Sequence, residues 1–136
     1  MAKKVVQRGE YEGLQDDIRS INTPAIEVWD NQYKDRRYTV YIRTDEFSCI
    51  CPKTGLPDIA DISIEYVPDK YCVELKSFKF YLVFFRNIGI FHEHAANMIL
   101  DDFIKACKPL YAKITAVFKS RGGIQTTVGS VYEKNK

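Results

Sequence analysis

The sequence predicts an α+β fold in which two helices cover one face of a four-stranded antiparallel sheet. Two observations predict it. Apolar and polar residues alternate in segments before residue 70 and after residue 110, and between these segments the apolar residues recur every three to four positions, as in a helix. A third is the composition, 46% hydrophobic and 28% charged, which is ordinary for a globular domain. With 136 residues, the chain has the length of one domain.

The first two strands are predicted at residues 37–44 ("RYTVYIRT") and 59–69 ("IADISIEYVPD"). Both alternate with period two, and Pro68 is expected to end the second. The positions expected to share one face are Tyr38, Val40 and Ile42 in the first strand and Ala60, Ile62, Ile64 and Tyr66 in the second.

Two helices are predicted within the segments 74–85 and 91–109, separated by the helix-breaking pair Asn87 and Gly89. Pro109 lies beyond the end of the second helix. The apolar stripes comprise Leu75, Phe78, Leu82 and Phe85 in the first helix, and Ala96, Ile99, Leu100, Phe103, Ile104 and Cys107 in the second.

Residues 111–120 and 124–133 are the last predicted strands, joined by the turn "RGG", so the element order is β-β-α-α-β-β. In the first of them, Ala112, Ile114, Ala116 and Phe118 are expected to share one face. Residues 1–35 lack strong periodicity and are interpreted as an N-terminal arm with no more than one short helical turn. Residues 36–136 then form the single domain. Because a four-stranded sheet leaves two unpaired edges, we expect an oligomer that closes them into a barrel.

Bulk properties exclude several classes of protein. The net charge of +2 does not indicate nucleic-acid binding. No apolar run reaches the roughly 18 residues that a membrane span needs, and the N-terminus resembles no secretory signal. The four cysteines lack the C-x-x-C spacing of zinc sites, so no metal is expected. We therefore expect a cytoplasmic protein with reduced thiols.

The stretch "FSCICPKTGLPDIAD" (residues 47–61) contains two candidate reactive groups. Cys51 precedes two prolines and a glycine in what is interpreted as a stiff loop, a position that suits a displayed nucleophile. Packing is the alternative for this thiol. It is the favoured interpretation of Cys49, and also of Cys72 and Cys107, which are expected near helix ends or on helix faces. Asp58 is either a turn residue or a functional acid.

The segment "FHEH" contains both histidines of the chain, His92 and His94. Two residues apart on a helix, they point about 200° from each other and do not form a metal pair. Glu93 is compatible with an ordinary solvated helix start, where the dipole favours an acid, or with a functional site.

Lys76 and Lys79 lie one helical turn apart in "ELKSFKFY". They form either a charged surface or a pair of cations placed for phosphate. Arg121 could join them, since the two glycines that follow allow close approach of the backbone to a ligand.

Together, "CPKTGLPD", "ELKSFKFY", "FHE" and "RGG" resemble the 7-cyano-7-deazaguanine reductases of queuosine biosynthesis, a pathway of tRNA modification. The resemblance spans about residues 38–133 and shows no departure at a motif position. It implies the tunnelling fold, NADPH as co-substrate used twice per turnover, no direct contact with nucleic acid, and a homo-oligomer of stacked rings with active sites at subunit interfaces.

The resemblance also implies roles for individual residues. Cys51 matches the nucleophile that attacks the nitrile to form a thioimide, Asp58 the proton donor and His92 the histidine beside the reacting carbon. The substrate-binding positions are Val73, Glu74, Leu75, His92 and Glu93, and the cofactor-binding positions are Lys76, Ser77, Lys79 and Arg121.

Two alternatives stay open. One is an amidinotransferase that uses a similar cysteine and nitrile on the same fold; the helix motif E-x-K-S-x-K-x-Y favours reduction. The other is a non-catalytic oligomeric binding module. The residues alone do not identify the group that activates Cys51, the number of subunits, the role of the arm, or a preference for NADPH over NADH.

Overall fold

The computed structural model describes residues 23–135. The elements are β1 (Val28–Asp30), β2 (Val40–Ile50), β3 (Pro57–Val67), β4 (Tyr71–Val73), α1 (Leu75–Phe84), a 3-10 turn (Phe85–Asn87), α2 (His92–Cys107), β5 (Tyr111–Phe118) and β6 (Thr127–Glu133). Strands β2-β3-β5-β6 form one antiparallel sheet in that order, and β1 pairs with β4. The predicted α+β fold is confirmed; the oligomeric barrel stays a prediction.

The core lies between one face of this sheet and the two helices. Alternate residues of β3 and β5 are buried, as their patterns predicted, because successive side chains of a strand point to opposite faces. Leu75 is an exception to the predicted helical stripe, since it is the first residue of α1 and is 60% exposed. Tyr81 is fully buried instead, and its hydroxyl donates a hydrogen bond to Asp102 on α2.

Strand β2 runs further than predicted, and β3 begins earlier. An irregularity between Thr44 and Phe47 shifts the register, so the core-facing positions change from even to odd numbers. Phe47 and Cys49 are therefore buried. The sequence pattern missed this half of β2 because the bulge interrupts the period. Consequently about half of the segment interpreted as a loop before the second predicted strand, residues 47–58, is strand, and only residues 51–56 connect β2 to β3.

Strands β1 and β4 were not predicted, since three residues are too few to show a period. Strand β1 belongs to the segment interpreted as an arm, of which residues 1–22 lie outside the described part. Asn31, which is 2% exposed, anchors this segment: its side-chain amide donates to the Asp69 carbonyl, and its Oδ1 accepts from the Tyr38 hydroxyl. The domain boundary at residue 36 stays a prediction.

Within residues 23–135, no helix combines the length and the apolar character needed to cross a membrane.

Candidate active site

The connection between β2 and β3 holds Cys51 in a defined position. The Cys51 N–H donates to the Leu56 carbonyl at 2.9 Å, and the Gly55 N–H donates to the Cys51 carbonyl at 2.8 Å. Gly55 has φ +72°, a left-handed conformation that glycine adopts without a Cβ penalty. The turn therefore closes directly behind Cys51, whose side chain is half-buried at the end of the sheet.

Asp58 and His92 form the central pair of the site. Asp58 lies on β3 opposite Cys49 and points to the core side, where it is only 8% exposed. The Nε2 of His92, in the first turn of α2, lies 3.0 Å from Oδ2 of Asp58. Hydrogen bonding compensates the burial of the carboxyl group. The pair can hold one proton between an imidazole nitrogen and a carboxylate oxygen.

The chain segment before α2 brings His92 to this place. The Ile50 N–H donates to the Ile88 carbonyl at 2.9 Å, and the Ile90 N–H donates to the Ile50 carbonyl at 3.1 Å. The end of β2 and the start of α2 are thereby fixed side by side. Cys51 follows one of the paired segments and His92 the other, so the backbone itself sets their relative positions.

Phe118, the last residue of β5, orients the imidazole. Its ring is stacked on that of His92, with the ring centroids 3.7 Å apart and the planes at 3°. Phe118 is 1% exposed and its edge contacts the Phe47 ring, so it provides a rigid support. Sequence analysis missed this role, because Phe118 was recognised only as an apolar strand position.

The thiol of Cys51 is set apart from the other cysteines by its surroundings. Burial is the largest influence on its pKa and raises it, but hydrogen bonds from the Thr54 side chain and from the Thr54 and Lys53 backbones bring the net pKa below the ordinary value. Burial raises the pKa of Cys49 and of Cys107 to about 12. Because a thiolate is the reactive form, Cys51 is the cysteine suited to nucleophilic attack.

The other three cysteines are buried, which confirms the packing role predicted for them. Cys49 faces the core from β2 and Cys107 ends α2. Cys72 lies on β4 rather than near a helix end, and its sulfur is 3.5 Å from the Tyr38 hydroxyl.

Glu93 is exposed in the first turn of α2, one residue after His92. Its backbone carbonyl accepts a hydrogen bond from the Asn97 side chain, and its carboxylate is favoured there by the helix dipole. An acid at this position is available to a ligand that enters beside His92.

Glu74 connects Val73, the last residue of β4, to Leu75, the first residue of α1. The Val73 N–H donates to the Tyr66 hydroxyl at 3.0 Å, which fixes this backbone from inside the core. Glu74 caps α1 by accepting from the Ser77 N–H at 2.7 Å and from the Lys76 N–H at 3.1 Å. These two bonds, the Ser77 one first, lower the pKa of the Glu74 carboxyl group.

Ser77 has a structural use in this geometry. It is 8% exposed, its hydroxyl donates to the Glu74 carbonyl at 2.8 Å, and its Oγ accepts from the Glu27 N–H at 2.8 Å. The hydroxyl thus ties α1 to the segment before β1. A contact of Ser77 with a cofactor stays a prediction.

The three candidate phosphate-binding cations are exposed but lie on different elements. Lys76 and Lys79 are on α1, and Lys79 lines a groove of about 430 Å³ with Leu75 and residues 42–47 of β2. Arg121 instead donates to the Pro57 carbonyl, beside Asp58. The structure therefore brings Arg121 to the Cys51 end of the sheet, whereas Lys79 lies at the groove further along β2.

That separation is substantial within one chain. The groove lining on β2 ends at Phe47. Extended strand rises about 3.4 Å per residue, so roughly 14 Å of chain lies between the groove and Cys51. The described chain thus contains two groups of candidate residues: the nucleophile group, Cys51, Asp58, His92, Glu93 and Arg121, and the helix-start group, Val73, Glu74, Leu75, Lys76, Ser77 and Lys79.

Comparison with known proteins identifies the family. The family model described as QueF-like protein matches residues 57–136. A protein of Chloroherpeton thalassium named NADPH-dependent 7-cyano-7-deazaguanine reductase is 53% identical over 111 residues, covering 82% of this chain and 96% of the relative. One of the same name from Chlorobaculum tepidum is 51% identical, covering 85% of this chain and 99% of the relative.

A crystal structure of an archaeosine synthase described as QueF-Like, in its apo form, has the same fold. The TM-score is 0.66 at 24% identity, covering 72% of this chain and 96% of the other. The resemblance found in the motifs is confirmed by these matches. By sequence and by fold, this chain belongs to the QueF-like family, together with proteins named as NADPH-dependent 7-cyano-7-deazaguanine reductases.

Proposed function

We propose that this chain reduces the nitrile of 7-cyano-7-deazaguanine to the primary amine of 7-aminomethyl-7-deazaguanine, with NADPH as reductant, in the biosynthesis of queuosine. Relatives that are 53% and 51% identical over most of the chain are named as reductases with this activity. The observation that carries the chemistry is the half-buried Cys51 thiol at the end of the sheet that also holds the Asp58–His92 pair.

The reaction begins at Cys51. The thiolate adds to the nitrile carbon, a carbon–sulfur bond forms, and one π pair of the C≡N bond moves to nitrogen. That nitrogen takes a proton from the Asp58–His92 pair, which yields a neutral thioimide. A soft thiolate suits the weakly electrophilic nitrile carbon.

Reduction of the thioimide needs two hydrides and one further proton. NADPH supplies each hydride. The first hydride adds to the C=N carbon while the nitrogen takes the second proton; the carbon–sulfur bond then breaks and returns the thiolate. The remaining iminium carbon accepts the second hydride. In total, two hydrides and two protons convert the nitrile to the amine. The Asp58–His92 pair, which holds one proton, must therefore be reprotonated twice per turnover, once before the second transfer and once before the next nitrile reacts.

The base must stay bound while the reductant is exchanged between the two hydride transfers. Glu93 is suited to accept paired hydrogen bonds from the 2-amino pyrimidine edge of the base, because its carboxylate is exposed next to His92. The backbone and side chains of Val73, Glu74 and Leu75 supply further contacts. The Val73 backbone is well placed for this, since Tyr66 holds it from the core.

The exposed cations fit the phosphates of NADPH. Ammonium groups on Lys76 and Lys79 and the guanidinium of Arg121 are the donor types that bind phosphate. Ser77 belongs to the same proposed set, although its hydroxyl is already engaged by Glu27 and Glu74.

A homo-oligomer would complete the site. In one chain, the helix-start group lies along β2, away from the nucleophile group, so a neighbouring subunit would supply one group to the other. Strands β2 and β6 are the edges of the sheet and offer unpaired backbone for such an assembly. Stacked rings of subunits in the cytoplasm are the proposed form.

Intact-protein mass spectrometry tests the proposal most directly. Incubation with the nitrile and without NADPH should add the mass of the base to wild-type protein and leave Cys51→Ala unmodified. Added NADPH should then be oxidised in wild type alone. An unmodified wild-type mass would refute the mechanism. An adduct that forms without any later NADPH oxidation would favour the amidinotransferase, and base binding without an adduct would favour a binding module.

A further inference from the structure

The backbone of Glu93 is tied to the edge strand β6 by the side chain of Asn97. Nδ2 of Asn97 donates a hydrogen bond to the Glu93 carbonyl at 2.8 Å, and its Oδ1 accepts one from the Ser130 hydroxyl at 2.8 Å. Asn97 lies one turn after Glu93 on α2, and Ser130 lies on β6, 33 residues further along the chain. A single side chain therefore links the first turn of α2 to the sheet.

Both ends of the Asn97 amide are used in this link, so the orientation of the amide is determined. The Glu93 carbonyl can only accept, hence it faces the NH2 group, and the amide oxygen is turned towards β6. The Ser130 hydroxyl can rotate to donate to that oxygen. A reversed amide would place its oxygen against the Glu93 carbonyl and lose that hydrogen bond.

Strand β6 is a fixed anchor for the link. Ser130 is paired with Ile114 on β5, and its neighbours on the same face, Val128 and Tyr132, pack against the core. Ser130 itself is half-buried. Because alternate residues of a strand point to the same face, the Ser130 hydroxyl is held on the helix side of the sheet.

The first turn of α2 has a particular need for such support. Its N-cap residue, Phe91, carries a hydrocarbon ring in place of the oxygen acceptor that Ser, Asp or Asn would present to the N–H groups of the turn. The Phe91 carbonyl accepts from the His94 and Ala95 N–H groups at 3.1 and 2.9 Å. The Asn97 link adds a bond that reaches from this turn to the sheet, and it acts on Glu93, whose carboxylate is exposed.

We propose that Asn97 is a positioning residue: together with Ser130, it holds the first turn of α2 so that the Glu93 carboxylate meets the pyrimidine edge of the base. This inference rests on the proposed function, in which Glu93 accepts paired hydrogen bonds from that edge. Hydrogen bonds weaken steeply with misalignment, and a pair must be aligned at both oxygens at once. A small rotation of the turn therefore weakens both bonds together.

Loss of the link should affect binding of the base more than turnover. The proposed proton transfer depends on His92, whose ring is held independently by Asp58 and Phe118. Asn97→Ala should therefore raise the KM for the nitrile about tenfold and change kcat by less than about threefold. Ser130→Ala should act in the same direction, whereas Ser130→Thr, which keeps the hydroxyl, should behave as wild type.

Binding of the amine product measures the effect without chemistry. 7-Aminomethyl-7-deazaguanine has the same pyrimidine edge but no nitrile, so it binds without an adduct to Cys51, and its Kd is measured by isothermal titration calorimetry. Asn97→Ala should raise this Kd about tenfold when Glu93 is present. In the Glu93→Gln background, Asn97→Ala should change Kd by less than about twofold, because the carboxylate through which it acts is gone.

An unchanged Kd in Asn97→Ala would overturn the inference, even if the free energy of unfolding fell. An equal rise of Kd in both Glu93 backgrounds would also overturn it, since Asn97 would then act by another route. A wild-type protein that binds the product but neither forms the nitrile adduct nor oxidises NADPH would refute the proposed function alone. The role of Asn97 would still be decided by the same Kd values.

Discussion

His92 Nε2 lies 3.0 Å from Asp58 Oδ2, although 34 residues separate the two positions along the chain. One residue is at the start of α2 and the other is on β3, and both are largely buried. The contact depends on the pairing of Ile50 with the segment before α2 and on the support of the imidazole by Phe118. In the proposed reaction, the two residues act together to supply protons to the substrate.

Asp58→Asn should reduce kcat about 100- to 10,000-fold, the usual contribution of general acid catalysis, because an amide cannot hand on the proton. The measurement is NADPH oxidation in the presence of the nitrile. Asp61→Asn is the matched control: this acid is also on β3, but it pairs with Arg43 at the surface. Asp61→Asn should keep wild-type kcat, and an equal loss in both variants would contradict the role of Asp58.

Phe118→Leu should lower kcat about tenfold, since the imidazole loses its stacking partner and no longer stays in line with Asp58. Phe103→Leu is the control, because Phe103 is equally buried but packs against Tyr66 and Phe78. Both variants should lose a similar free energy of unfolding, roughly 1–3 kcal/mol, in urea denaturation. Equal kcat values in the two variants would show that Phe118 acts only through stability.

Lys76→Ala combined with Lys79→Ala should raise the KM for NADPH about tenfold or more, equivalent to a loss of about 1.4 kcal/mol. The effect should shrink as salt concentration rises, because exposed charges are screened. Lys105→Ala combined with Lys113→Ala removes the same charge from other exposed positions and should leave KM unchanged. An unaltered KM in the first pair would remove these lysines from the cofactor site.

Ser77→Ala distinguishes a structural role from a cofactor contact. Loss of the hydroxyl leaves the Glu27 N–H without its acceptor, so the free energy of unfolding should fall by about 1–3 kcal/mol. Because Ser77 belongs to the proposed cofactor set, the KM for NADPH in the remaining folded enzyme should rise as well. Ser63→Ala serves as the control, because Ser63 lies on the face of β3 that points away from the core. A loss of stability with an unaltered KM would contradict the cofactor contact and leave Ser77 with its structural role alone.

Glu74 should make the stability of the fold depend on pH. Its pKa is lowered in the folded chain from the ordinary value of 4.5, chiefly by the Ser77 N–H, so it stabilises the fold above that value. The contribution is lost as pH falls through the lower, folded-state pKa. Urea unfolding of wild type and Glu74→Gln should show a stability difference at neutral pH that disappears in acid. A difference constant across this range would contradict the assignment.

The sequence by itself determined the alternation of β3 and β5, the two helices and the residues of the motifs. Each of these is encoded locally: one face of a strand repeats every second residue, and a helical stripe repeats every three or four. The reactive residue types could be recognised in the same way. They are a thiol in a turn, an acid at the start of a strand and a histidine at the start of a helix. Local patterns failed where a strand was short or irregular, as in β1, β4 and the second half of β2.

Only the tertiary structure decided which of these residues meet. The bulge before Phe47 turned Cys49 into the core, and the Ile50 pairing set His92 against Asp58. Neither event has a local signature, since each depends on contacts between segments distant along the chain that form only when the core packs. The same reason applies to Ser77. It is a motif position in the sequence, and only the fold shows that its hydroxyl accepts a hydrogen bond from the Glu27 N–H, fifty residues away.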